Sequence, residues 1–181
     1  GEGVTHLGPG DEVFGNCPLG AYAQWLAAPA QSAAPKPRSI APIDAASVPV
    51  AGQTAWQALF DHGQLQPGQT VLIHAAAGGV GTFAVQLAHW KGARVLATAS
   101  QANADYLRTL GADQVIDYKS ERFETIAKNI DLVVDLIGGE TQTRSFAVLE
   151  RGGALVATAQ PPSQEEAARA KVRAVMMSMN A

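Results

Sequence analysis

Cysteine is almost missing from the chain: Cys17 is the single one among 181 residues. That excludes a disulfide framework and a cysteine-rich zinc site within these residues. A reducing setting follows, and the expected location is cytoplasmic. Charge is also sparse, at 16% of residues with a net charge of −3. Its Lys and Arg residues are scattered, so no basic stripe points to a nucleic-acid partner. Aromatic residues make up only 6% and do not interleave with basic ones as a single-strand binder would require. No apolar run is long enough to cross a bilayer, so no membrane association is expected. The polar stretch Gly1 to Gly10 lacks the apolar stretch of a signal peptide. There is neither an internal repeat nor a low-complexity tract. The first residue is Gly rather than Met and no strand precedes it, so the chain is expected to be a portion of a longer protein.

What is present is apolar and glycine-rich: 47% hydrophobic residues and 18 glycines, enough for a real core with short turns. A composition shift divides the chain. Residues 1–49 are rich in Pro and Gly, with the turn Gly10-Asp11 ahead of Val13-Phe14. Ala21 to Ala28 reads as a strand holding Tyr22 and Trp25, and Pro29 to Pro42 as extended loop. Helical pieces are expected at Ile43–Ala46 and Gly52–His62, where Trp56, Leu59 and Phe60 recur at helical spacing. From Pro67 onward strands and helices alternate. The expected strands are Thr70–Ala75, Arg94–Ala99, Gln114–Asp117, Asp131–Ile137, Ala154–Thr158 and Val172–Met177. The helices between them are Val80–Lys91, Ala102–Leu110, Glu121–Lys128, Glu140–Leu149 (closed by a Gly152-Gly153 turn) and Glu165–Ala170. Strands apolar on both faces are those of a buried parallel sheet. Right-handed crossovers then make the fold α/β: a doubly wound parallel-sheet Rossmann domain.

The chemistry lies in His74-Ala75-Ala76-Ala77-Gly78-Gly79-Val80-Gly81, between the first of those strands and its helix. Set against G-x-G-x-x-G, Gly78 and Gly81 match the second and third glycines, and Ala76 replaces the first. Gly78 lets the backbone approach a pyrophosphate, and Gly81 lets the helix pack on the strand. The helix N-terminus then presents amides and its dipole to the phosphates. No Gly-Lys-Ser/Thr follows, so an NTPase loop is excluded. An NAD site usually carries Asp or Glu about 20 residues on, at the end of the second strand. Here that strand ends Thr98-Ala99-Ser100. No carboxylate is there to repel a 2′-phosphate, which favours NADP(H) without excluding NAD(H). Ser100 can also cap the next helix.

Several segments occur in order: Gly20-Ala21-Tyr22-Ala23, Ala45 to Pro49, Gly52 to Trp56, Pro67-Gly68, the turn Ala75 to Gly81, Leu110 to Asp113, and Val115 to Tyr118. Together they resemble the zinc-independent quinone oxidoreductase branch of the medium-chain dehydrogenase/reductase superfamily. The resemblance implies a bilobal, homodimeric enzyme that uses NADPH to reduce a small-molecule quinone, enone or similar activated double bond. Residues 1–34 would be the remnant of a GroES-like β-barrel substrate lobe, 35–66 an interlobe segment and helix, and 67–181 the Rossmann domain, truncated at its C-terminus. It places Thr54 near the nicotinamide, and Gly78, Gly79, Val80 and Gly81 at the pyrophosphate. Ser100 and Tyr118 fall around the 2′-phosphate. Leu136, Ile137 and Gly138 flank the dinucleotide, and Thr158, Ala159 and Gln160 lie near the nicotinamide ring. Relatives often carry Lys or Arg two residues after Ser100, where this chain has Ala102. Val50 stands where zinc-dependent alcohol dehydrogenases have a cysteine ligand, so no metal is expected.

Other side chains read as structural. His74 is expected to be a buried, hydrogen-bonded imidazole, and Tyr22 a strand aromatic at the lobe interface. Trp56 and Trp90 are read as core packing, and Asp135 and Glu140 as strand-end and helix-start residues. His6, His62 and His89 lack partners at ligand spacing. Met176, Met177 and Met179 suggest an edge strand or subunit contact. No residue stands out as an obligate acid or base. Beside the quinone or enone reductase, two readings stay open. One is an enoyl reductase of lipid or polyketide synthesis; the other is a non-catalytic NADP(H)-binding redox sensor.

Overall fold

The computed structural model describes residues 3–17 and 19–178; Met179 lies outside them. The described residues form two compact units, 3–17 with 19–53, and 54–178.

In the first unit, β1 (Val13–Gly15) pairs antiparallel with β2 (Ala33–Pro35), Phe14 opposite Ala34. Beyond β2 the Lys36 side chain is buried. Its Nζ donates to the carbonyls of Pro37 (3.0 Å) and Ile40 (2.7 Å) and pairs with Glu12 at 3.2 Å. Helix α1 (Pro42–Ala45) follows, with proline in its first turn, where a missing N–H costs nothing. Ala21–Ala28, expected as a strand, forms none. Strands exist by pairing, and among the described residues β1 and β2 form a sheet of two. Tyr22 and Trp25 are accordingly exposed, which corrects the reading of Tyr22 as a packed strand aromatic.

Helix α2 (Val48–Trp56) starts earlier than its spacing suggested and continues as π-helix over Gln57–His62. The second unit is built on six parallel strands: β3 (Thr70–Ile73), β4 (Arg94–Ala99), β5 (Gln114–Asp117), β6 (Ile130–Asp135), β7 (Leu149–Ala157) and β8 (Arg173–Met176). Their order is β5-β4-β3-β6-β7-β8. The connecting helices are α3 (Gly79–Trp90), α4 (Ala104–Thr109), α5 (Phe123–Ile126), α6 (Gly139–Ser145) and α7 (Gln164–Ala170). This is the doubly wound Rossmann arrangement expected from the alternation.

The pleat sorts the apolar strands onto two cores. Val71, Ile73, Val95, Leu132 and Val134 meet Ala84, Val85 and Ala88 of α3 on one face. Leu72, Leu96, Ile116, Val133 and Leu155 meet Phe123, Phe146 and Ala167 on the other. Each large aliphatic side chain so buried contributes roughly 1.5–3 kcal/mol. Small residues let the helices approach the sheet, and that corrects the reading of the tryptophans. Trp56 and Trp90 are 45% and 70% exposed and face each other at 6.4 Å on the surface, with Phe60 edge-on to Trp56 at 4.7 Å. The Gly152-Gly153 pair is not a turn ahead of a strand; it lies inside β7. Gly152 adopts φ +88° there, and the β6–β7 register shifts between Ile130 and Leu132. A bulge of this kind needs a residue tolerant of positive φ. Strand β8 is the sheet edge, as Met176 suggested, whereas Met177 just beyond it is buried in the core.

Candidate nucleotide-binding site

Chain order reverses direction between β3 and β6, so a crevice opens at the carboxyl ends of these neighbouring strands. The turn from β3 to α3 forms one wall. Ala75 takes φ +50°, a left-handed conformation that costs an alanine about 1 kcal/mol. Gly78 N then donates to Ala75 O at 3.0 Å. Gly78 is the N-cap of α3 in extended backbone, and no side chain caps the helix. Its first-turn amides and dipole are therefore presented to an anion.

The glycines of this turn differ in kind. A Cβ on Gly81 would sit 2.5 Å from Ala75 O and 2.6 Å from Ala76 Cα, so the helix packs on the turn only because none is there. A Cβ on Gly79 would meet nothing within 4 Å. Open space beside an uncapped helix start is a cradle that fits a pyrophosphate.

Next to the turn lies a cavity of about 570 Å³. Gly78, Ser100, Tyr118 and Ile137, singled out from sequence, line it. So do Asn103, Phe123, Thr141 and Arg144, which were not. Only the strand order, which sequence spacing does not reveal, brings β4, β5 and α6 to one opening. Gly79, Val80 and Gly81 form the adjoining helix start. Thr54 is buried on α2. Ser100 precedes a 3₁₀ turn (Gln101–Asn103), but its side chain makes no cap hydrogen bond.

Asp135 organises the far wall. It is fully buried at the end of β6. Its Oδ1 accepts from the amides of Ile137 (3.0 Å) and Gly138 (2.9 Å), and its Oδ2 from Gln142 Nε2 (2.9 Å). The same Gln142 nitrogen donates to Gln160 O at 3.0 Å. Thr158 N donates to Asp135 O at 3.0 Å. The loops 136–138 and 158–160 are thereby tied together. Gly138 takes φ +82°, and a Cβ there would lie 2.6 Å from Gln160 Cγ. Leu136 packs on the α3-side core.

His74 is the cavity's buried floor, as its strand position suggested. Nε2 lies 2.9 Å from Ser145 Oγ, and Nδ1 lies 3.0 Å from Thr98 Oγ1. Ser145 donates its own proton to Thr141 O at 2.7 Å, so it accepts from His74 Nε2–H. Nδ1 then accepts from Thr98. Burial holds the imidazole neutral, with its pKa lowered to about 4; the nearby Asp135 charge opposes this and Arg144 reinforces it. Beside it, Arg144 lies 5.1 Å from the Phe123 ring centre and pairs with Glu124 at 3.1 Å. Burial pushes the Glu124 carboxyl up. Its own backbone amide, Arg122 and Arg144 outweigh that and hold it below the usual range.

Among the described residues, no group of three or more His, Cys, Asp or Glu side chains is placed to hold a metal. No helix of theirs is long and apolar enough to cross a membrane.

Fold and crevice together define a dinucleotide-binding domain of the Rossmann class. The sequence profile of the zinc-binding dehydrogenase family matches residues 79–179, more than half of the chain. The chain belongs to that family and, with the quinone oxidoreductases, to the medium-chain dehydrogenase/reductase superfamily. It superposes on the Escherichia coli quinone oxidoreductase complexed with NADPH with a TM-score of 0.90 at 29% identity, covering 99% of this chain and 60% of that one. It is 38% identical over 158 residues to a mitochondrial NAD(P)H oxidoreductase of Bos taurus, covering 82% of this chain and 40% of the relative. It is 43% identical over 158 residues to a polyketide synthase of Streptomyces halstedii, covering 86% of this chain but 3% of that protein. The chain thus spans two-fifths or less of the length of these curated relatives.

Proposed function

We propose that this chain is the cofactor-binding part of an NADPH-dependent oxidoreductase that reduces a quinone, enone or similar activated double bond without zinc. The observation that carries the reading is the uncapped N-terminus of α3 beside a cavity at the point where strand order reverses. The similarity to an NADPH complex supports NADP(H) as cofactor.

In this reading the bound nicotinamide supplies a hydride to the electron-poor carbon of the substrate. The chain's own residues bind and orient. Gly78, Gly79, Val80 and Gly81 present backbone and amides to the pyrophosphate. Ser100 and Tyr118 hydrogen-bond the adenosine ribose and its 2′-phosphate. Leu136, Ile137 and Gly138 flank the dinucleotide. Thr54, Thr158, Ala159 and Gln160 lie toward the nicotinamide. Val50 offers no thiolate at the position where zinc-dependent relatives carry one, and this supports chemistry without a Lewis-acid metal. Among the described residues none is assigned as an obligate acid, and in this reading water is the proton source. In this reading residues 1–34 belong to a GroES-like lobe, with 35–66 connecting it to the Rossmann domain at 67–181.

The test is NADPH oxidation by the full-length protein with a quinone and an enone, with and without a zinc chelator. Turnover indifferent to the chelator is expected; loss of turnover on chelation contradicts the zinc-free reading. A second reading, an enoyl reductase acting on acyl thioesters, is favoured by the polyketide synthase similarity. Turnover confined to enoyl thioesters decides for it.

A further inference from the structure

The end of the second strand of a Rossmann fold faces the ribose 2′ position. An acid there accepts from the 2′-hydroxyl of NAD(H), whereas an arginine pairs with the 2′-phosphate of NADP(H). This chain has neither. Beyond β4 the 3₁₀ turn folds Asn103 back over Ser100: Asn103 N donates to Ser100 O at 2.9 Å, and Asn103 Nδ2 to Ser100 Oγ at 3.3 Å. Ser100 and Asn103 line the cavity, with Tyr118 from the end of the neighbouring strand. All three are uncharged.

Two charges near this opening already have partners. Asp117 accepts from Lys119 N at 3.1 Å and Ser120 Oγ at 2.9 Å. Those donors, with the Gln101 amide of the turn after β4, hold its carboxyl below the usual range. Arg144, the cation on the cavity wall among the described residues, is paired with Glu124 and lies over Phe123. A carboxamide offers both kinds of contact: its N–H donates to a phosphate oxygen, and its carbonyl accepts from a hydroxyl.

Resting on the nucleotide-site reading above, we propose that Asn103 reads the ribose 2′ substituent and, as a neutral amide, admits NADH beside the favoured NADPH. A charge at this position then sets the preference. An added cation forms the stronger, charge-assisted bond to a 2′-phosphate, and an added anion repels it.

The experiment is titration of the full-length protein and its N103K and N103D variants with NADPH and NADH, followed by nicotinamide fluorescence, with melting temperatures as a check on folding. The wild type is expected to bind the two within about tenfold of each other, with N103K shifting the Kd ratio toward NADPH and N103D toward NADH by about tenfold or more. The ratio isolates the 2′ contact, because a merely structural role for Asn103 weakens both nucleotides together. A wild-type preference beyond about tenfold, or a ratio that both variants leave within about twofold, overturns the proposal. If both nucleotides bind and residue 103 does not move the ratio, Asn103 alone is wrong. If neither binds the wild type, the site reading falls with it.

Discussion

At the residue scale, His74 couples stability to pH. Its folded pKa, near 4, lies below the ordinary 6.5. Between those values the unfolded chain takes up a proton that the folded chain does not. The stabilisation is therefore complete above about pH 6.5 and is lost as the pH falls through about 4, by up to roughly 3 kcal/mol. Urea unfolding of wild type and His74→Asn at pH 7 and pH 4.5 checks this. The wild type should lose more stability on acidification than the variant; equal losses would show that His74 carries none of it. Gly79 and Gly81 make a second residue-scale pair. Gly81→Ala forces a Cβ against Ala75 and Ala76 and should cost about 1–3 kcal/mol. Gly79→Ala enters open space inside a helix, so stability should hold or rise by up to about 1 kcal/mol. Its methyl then stands where the phosphate is expected, and NADPH affinity should fall. A Gly79→Ala protein that is stable and binds NADPH normally would remove the pyrophosphate from that spot.

At the scale of elements, the pairing of the β6 and β7 loops rests on one carboxylate. Asp135→Ala leaves the Ile137 and Gly138 amides and Gln142 without their acceptor in a buried place. That should cost about 2–4 kcal/mol, read by thermal or urea unfolding, and weaken nucleotide binding as loop 136–138 moves. Elements were legible where a pattern repeated locally. Arg94–Ala99 and Gln114–Asp117 match their expected bounds residue for residue, because β-rich runs there are bounded by turn signals. Ala21–Ala28 shows the opposite limit. Its strand-like residues cannot make a strand without a ladder, and no local pattern reports whether one exists. Gly152-Gly153 misled for a related reason: the pair signals a positive φ, which serves a turn and a bulge equally.

At the scale of the molecule, the turn from β3 to α3 was readable because its glycines stand at a strand-to-helix junction. The rest of the cavity was not. Asn103, Phe123, and the α6 pair Thr141 and Arg144 come from three separate segments, and only the strand order β5-β4-β3-β6 gathers them around Gly78. His74 was legible as a buried imidazole because it follows the apolar run Val71–Ile73. Its partners Thr98 and Ser145, 24 and 71 residues away, were not. The central proposal belongs to this scale: that the crevice between β3 and β6 is where a nicotinamide dinucleotide binds, with its pyrophosphate on the N-terminus of α3. The most direct measurement is calorimetric titration of the full-length protein and its Gly79→Ala variant with NADPH. The account predicts saturable one-to-one binding by the wild type and weakened binding by a variant that is no less stable. No heat of binding from the wild type, or equal affinity in the two proteins, would contradict it.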